Sequence, residues 1–143
     1  MLIEQVEEPD VSSPERLYRR YREDLAAIVE EVGVDQVVAQ TGIDRARIER
    51  LPDEEAALTL GEAASIFSLT ETNTDGPTIE QDTRDQLLMQ MSSAVVDVDA
   101  IASGLDLDLS GQEIQQKIEG RTPVTLDEFA RILYFVQSNN PYR

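Results

Sequence analysis

The sequence contains no cysteine and no histidine. With them go disulfides, thiolate nucleophiles, Cys/His zinc sites and every triad or acid–base pair built on imidazole. Tryptophan is absent too, aromatic residues make up 5% of the chain, and there are three methionines. The core is therefore expected to consist of Leu, Ile, Val and Ala. No apolar run approaches the roughly 18 residues of a membrane span. The opening stretch 1–10 is acidic, unlike a signal peptide. A cytoplasmic protein with no membrane partner is the expectation.

Lysine is almost missing. Lys117 stands alone, so the other 11 of the 12 basic residues are arginine, against 13 Asp and 16 Glu, for a formal net charge of −17. Such an excess repels itself at low ionic strength and destabilises the compact state. At molar salt the Debye length falls to about 3 Å and the repulsion fades. The balance suits a salt-loaded cytoplasm of the halophilic kind. The other reading is an acidic protein that binds basic partners or mimics nucleic acid. Residues 12–51 hold seven arginines against eight acids, a net −1 that leaves −16 for the rest. A positive patch can be assembled only there.

An apolar fraction of 41% over 143 residues supports a real core. The length allows one compact domain or two small ones of about 60 residues. Helix signals recur throughout. Ser12 and Ser13 before Pro14 and Glu15 start a helix whose apolar stripe is Leu17, Tyr21, Leu25, Ile28 and Val32, ended by Gly33. Asp35 caps a short helix ending at Gly42, and Asp44 caps the next, with Ile48 and Leu51 inward and Pro52 beyond. Thr59 and Glu62 open a fourth helix carrying Ala63, Ile66 and Phe67. TETNTDGPT (70–78) reads as a linker. Beyond it, Thr78 with Gln81 opens a helix carrying Leu87, Leu88, Met91 and Val95, and Asp99 caps a short one ending near Gly104. Ser110 with Glu113 and Thr125 with Glu128 open two more. Nothing alternates with period two for long enough to need a sheet, so the chain reads as all-α.

The halves look like repeats. Val34-Asp35 matches Val98-Asp99 at an offset of 64, and Thr59-Leu60 with Glu62 matches Thr125-Leu126 with Glu128 at 66. The organisation expected is a first unit over 12–69, a linker over 70–78 and a more divergent second unit over 79–137. A third arrangement packs both halves face to face as one bundle, hiding the third helix of each.

The stretch VDQVVAQTGIDRARIERL followed by TLGEAASIF resembles the helix-turn-helix region of λ-repressor-like (Cro/C1-type) DNA-binding domains. In that pattern a short helix ends at a glycine, here Gly42. A hydrophobe (Ile43) and a capping residue (Asp44) precede the recognition helix, which Ile48 and Leu51 pin down. Val38 departs from the small residue the family prefers. The second half resembles the same family through IEGRTPVTLDEFARIL, with Ala102 at the small position and Asp106 where the glycine would stand. The resemblance implies helix-turn-helix-like four-helix units in tandem, DNA as partner and a homodimer as a common state. The whole chain also resembles a group of small acidic haloarchaeal proteins, which implies a habitat and no function.

With Ile48 and Leu51 inward, Arg45, Ala46, Glu49 and Arg50 face outward as base-reading candidates. Arg pairs with guanine and Glu accepts from cytosine. Arg16, Arg19, Arg20 and Arg47 are phosphate candidates. The bland alternative is a solvated face of i, i+3 and i, i+4 ion pairs. Gln112, Gln115, Gln116 and Lys117 form the equivalent face of the second half. Lacking Arg, that face suits a protein partner better than a phosphate backbone. Asp106, Asp108 and Ser110 begin like a calcium loop, but its twelfth position is Lys117. Met89, Met91, Phe129, Tyr134 and Phe135 are expected in the core or between halves. No cofactor, metal site or catalytic residue is expected. Two functions remain: a DNA-binding regulator, and an adaptor offering an apolar or Gln-rich surface to another protein.

Overall fold

A computed structural model describes residues 13–51, 53, 57–71 and 74–140. Ser12 and Pro52, given roles at helix ends above, lie outside these residues. Among the described residues the chain is all-α. The first half comprises α1 (Pro14–Val32), α2 (Val34–Thr41), α3 (Arg45–Glu49) and α4 (Leu60–Phe67), with a 3-10 turn at Ser68–Thr70. The second comprises α5 (Gly76–Ala94), α6 (Val98–Gly104), α7 (Gly111–Glu119) and α8 (Leu126–Ser138). Each half opens on a 19-residue helix; the second then runs short, short, medium, whereas in the first α4 is no longer than α2, at eight residues each.

Local chemistry sets most helix ends. The side chains of Thr59, Ser110 and Thr125 accept from the backbone N–H three residues on, and Glu62, Glu113 and Glu128 reach back to complete three capping boxes. Gly42 and Gly120 end α2 and α7 in the left-handed region. Five expectations need correcting. Ser13 caps α1 with Arg16 as the third residue, so Glu15 takes no part in a box. α2 is capped by Gly33, which leaves Asp35 in the first turn; Asp44 precedes α3 without a side-chain cap bond. Asp97, not Asp99, caps α6. Asp75 accepts from Thr78 N–H, so α5 starts at Gly76 inside the expected linker, and Thr78 opens no box.

The packing crosses between the halves. α1 lies chiefly on α8, and α5 lies chiefly on α4. The Tyr21 and Phe129 rings meet at 6.3 Å between centroids, tilted by 33°. Beside them Leu60 N–H donates to the Val124 carbonyl and Leu126 N–H to the Leu58 carbonyl, both at 2.8 Å. This isolated antiparallel bridge pairs Thr59 with Thr125, the residues that open equivalent helices. A pseudo-twofold axis therefore passes between them. The long helices follow the same symmetry: Leu17, Tyr21, Arg22, Leu25 and Val29 are buried, and so are Ile79, Thr83, Arg84, Leu87 and Met91, each 62 residues on. Buried side chains of both halves form one apolar cluster. Described residues of both expected units, 12–69 and 79–137, contribute to that one core.

Candidate functional site

α3 is a turn and a half long. Past Glu49 the chain leaves the helix through bonds of the i to i+3 kind, Arg50 N–H to Arg47 O and Leu51 N–H to Ile48 O, because Ile48 and Leu51 are drawn into the core at 1% exposure each. Arg45, Ala46, Glu49 and Arg50 are exposed, as the sequence suggests, and the other half does not cover them. Carboxylates occupy the cations. Arg45 bonds Asp35 across the α2–α3 turn and lies 3.7 Å from Glu49. That Asp35 bond is the first cause raising its guanidinium above the ordinary value. Arg47 forks onto both oxygens of Glu62 and also reaches the Ala57 carbonyl. Arg50 is exposed, with no ion pair among the described residues. In α1, Arg19 pairs with Glu23 at 3.1 Å and Arg20 with Asp24 at 3.4 Å, while Arg22 is buried over the Tyr18 ring. Arg16 is exposed on the first turn. Over 34–50 three acids balance three arginines. The α2–α3 surface is a mosaic of neutralised pairs.

The face expected in the second half divides. Gln112 and Gln115 are exposed, and Gln115 donates to Glu119 at 2.9 Å. Gln116 is half-buried, and its carbonyl accepts from Arg121 and Thr122 N–H. Lys117 turns away to donate to Glu128 at 3.1 Å and to the Pro123 carbonyl at 3.0 Å. It reproduces, one repeat later, the Arg47 contacts with Glu62 and the Ala57 carbonyl. The only lysine therefore braces α7 against α8.

Beside Gln115 lies a feature the sequence reading missed. An open groove of about 520 Å³ runs between α5 and α7, closed at one end by the start of α6. Leu88, Met91, Val95, Val96, Val98 and Ile118 form its apolar surface. Two exposed large hydrophobics line it, Leu88 at 43% and Val95 at 86%, and Met89, at 65%, follows Leu88 on α5. Met89, expected in the core or between halves, is exposed, and so are Leu88 and Val95 of the apolar set that the sequence puts on this helix. The correction has a geometric cause: α4 and α8 cover only the Leu87/Met91 side of α5. Arg84 ties α5 to the end of α7. Its buried guanidinium pairs with Glu80 at 2.8 Å and donates to the Lys117 and Ile118 carbonyls at the end of α7. Cations at a helix C-terminus satisfy carbonyls that lack intrahelical partners. A smaller opening of about 280 Å³, lined by Ala26, Val29, Glu30, Val34, Ile48, Glu49 and Leu51, sits at the pseudo-symmetric place in the first half.

Among the described residues no three carboxylates gather as a metal site, the Asp106–Ser110 turn included. No described helix is long and apolar enough to cross a membrane. A family model spanning residues 17–139, described as a family of unknown function (DUF5791), matches this sequence. The chain belongs to the DUF5791 family. The match starts inside α1 and ends just past α8, so the family is defined by the whole interlocked pair of repeats. No curated protein and no solved structure matches the chain.

Proposed function

We propose that this DUF5791 protein is a non-enzymatic adaptor that binds another protein and works in salt-rich surroundings. The observation that carries this reading is the gathering of Leu88, Met89 and Val95 beside the α5–α7 groove. Exposed apolar side chains scattered singly are ordinary, whereas a cluster rimmed by polar groups marks an interaction surface. High salt strengthens such contacts while it screens the −17 charge.

A DNA-binding regulator is the second reading, favoured by exposed Arg50 after a helix-turn-helix-like sequence. The ion pairs of Arg45 and Arg47 weigh against it, since a phosphate or base must first displace a bound carboxylate. Placing the photocrosslinker benzoylphenylalanine at position 89 in the native host tests the two readings. One reproducible protein adduct, missing when the probe sits at position 30, is the expected result. Absence of an adduct overturns binding at this surface. Retention of genomic fragments that share a sequence in about 2 M KCl, lost in the Arg45→Ala/Arg50→Ala protein, establishes the DNA reading instead.

A further inference from the structure

Val95 ends α5 at φ 55° and ψ 47°, in the left-handed region. Branching at Cβ makes this the worst class of residue for that conformation, because Cβ crowds the following carbonyl. The equivalent residue of the first half, 62 positions earlier, is Gly33, which ends α1 at φ 96°. At this helix end the first repeat has a glycine at ψ 136° that leads straight into α2, whereas the second has a strained Val at ψ 47° and two further residues before α6. Val95 gains nothing from internal packing, being 86% exposed. Strain that the folded chain does not use is a pointer to a contact outside it.

The groove beside it has a definite chemistry. Its apolar floor is rimmed by Asp97 and Glu119, and Asp85 is exposed one turn back from Leu88 on α5. Glu119 and Arg121 neutralise one another at 3.1 Å, Lys117 is held by Glu128 and Arg84 beneath the surface by Glu80, so Asp97 and Asp85 set the sign of the rim. A second copy of this chain would set acid against acid, which interfaces avoid. The first-half opening has Ala26, Val29 and Val34 in place of Leu88, Met91 and Val98, and among the described residues no large exposed hydrophobic lines it.

We infer that the α5–α7 groove docks an amphipathic helix of another protein, with apolar anchors flanked by Arg or Lys, and that Leu88 and Val95 are its main contacts. This rests on the protein-binding reading above. Two helices side by side offer the kind of trough in which a third lies, and apolar anchors with complementary charge at the rim fix its choice of partner. The probe is a synthetic helix of about four turns with Leu on one face and Arg beside it, set against a Leu/Glu version. Fluorescence anisotropy with the full chain in about 1 M KCl removes long-range attraction. The Leu/Arg helix is expected to bind, and Leu88→Gln and Val95→Gly each to weaken it on the order of tenfold. Val95→Gly should at the same time raise the thermal midpoint, whereas a purely structural residue would move stability without affinity. Glu30→Gln, beside the first-half opening, should leave affinity unchanged. Equal binding of wild type and variants, equal binding of the Leu/Glu helix, or a dimer in sedimentation velocity that Val95→Gly dissolves would each overturn the inference. If it fails while the adduct at position 89 persists, protein binding stands and the basic helix is discarded as the partner.

Discussion

Tyr21 sits at the centre of the molecule with no exposed surface. Burial first, and the Asp24 charge second, push its phenol well above its ordinary value near 10. The folded protein holds it neutral, so its contribution to stability is complete below about pH 10 and is lost as pH rises further. Tyr21→Phe should flatten that alkaline decline in urea titrations. Glu62 acts at the other end of the scale. Burial raises its carboxyl, but hydrogen bonds from Arg47 and from Thr59 outweigh it and the net shift is downward. A lowered carboxyl gives stability that is present above the unfolded value, about 4.3, and is lost as pH falls through the folded one. Glu62→Gln preserves the capping geometry and should make stability less sensitive to acid between about pH 5 and 2. The cap can be tested separately. Thr59→Ala and Thr125→Ala should each cost about 1 kcal/mol in chemical denaturation.

Element boundaries were legible where a side chain caps its own helix, as at Thr59/Glu62, Ser110/Glu113 and Thr125/Glu128. They were misread where two candidate caps stand close together: Asp75 beside Thr78, and Asp97 beside Asp99. Spacing alone does not say which residue leaves the helical region first. Partners were illegible for a deeper reason. A stripe of apolar residues tells which face of a helix is buried but not against what, so the crossing of α1 onto α8 had no signature. The apolar set Leu87, Leu88, Met91 and Val95 carries no sign that Leu88 and Val95 stay outside the core, and so none of the groove. The one usable signal was a helix ending in Val-Val where its repeat ends in Gly33. Of the α3 site, exposure was read correctly from Ile48 and Leu51, while Glu62, which captures Arg47, lies 15 residues away and was invisible to helical spacing. Helix crossings impose demands of their own. A Cβ on Gly76 would lie 3.0 Å from the Ser65 backbone, and one on Gly104 would lie 2.3 Å from the Phe135 ring. Gly76→Ala should therefore force α5 off α4 and destabilise by about 1–3 kcal/mol, measured by thermal unfolding.

One core shared by both halves means one unfolding event. Calorimetry of the whole chain should show a single cooperative transition, and residues 13–71 expressed alone should yield no folded monomer, since α1 would lose α8 and α4 would lose α5. The transition temperature should climb as KCl rises from millimolar to molar, as the −17 charge is screened. The reciprocal bridge between Thr59 and Thr125 carries a consequence for ancestry. Two identical half-length chains would make those same two hydrogen bonds, and the same exchange of long helices, across a true dyad. Such an ancestor must carry identical troughs on both flanks, so any change that improved one partner's seat was imposed on the other as well. In a single chain that constraint is absent, and the ends of α1 and α5, Gly33 in one and Val95 in the other, are a place where the two flanks differ.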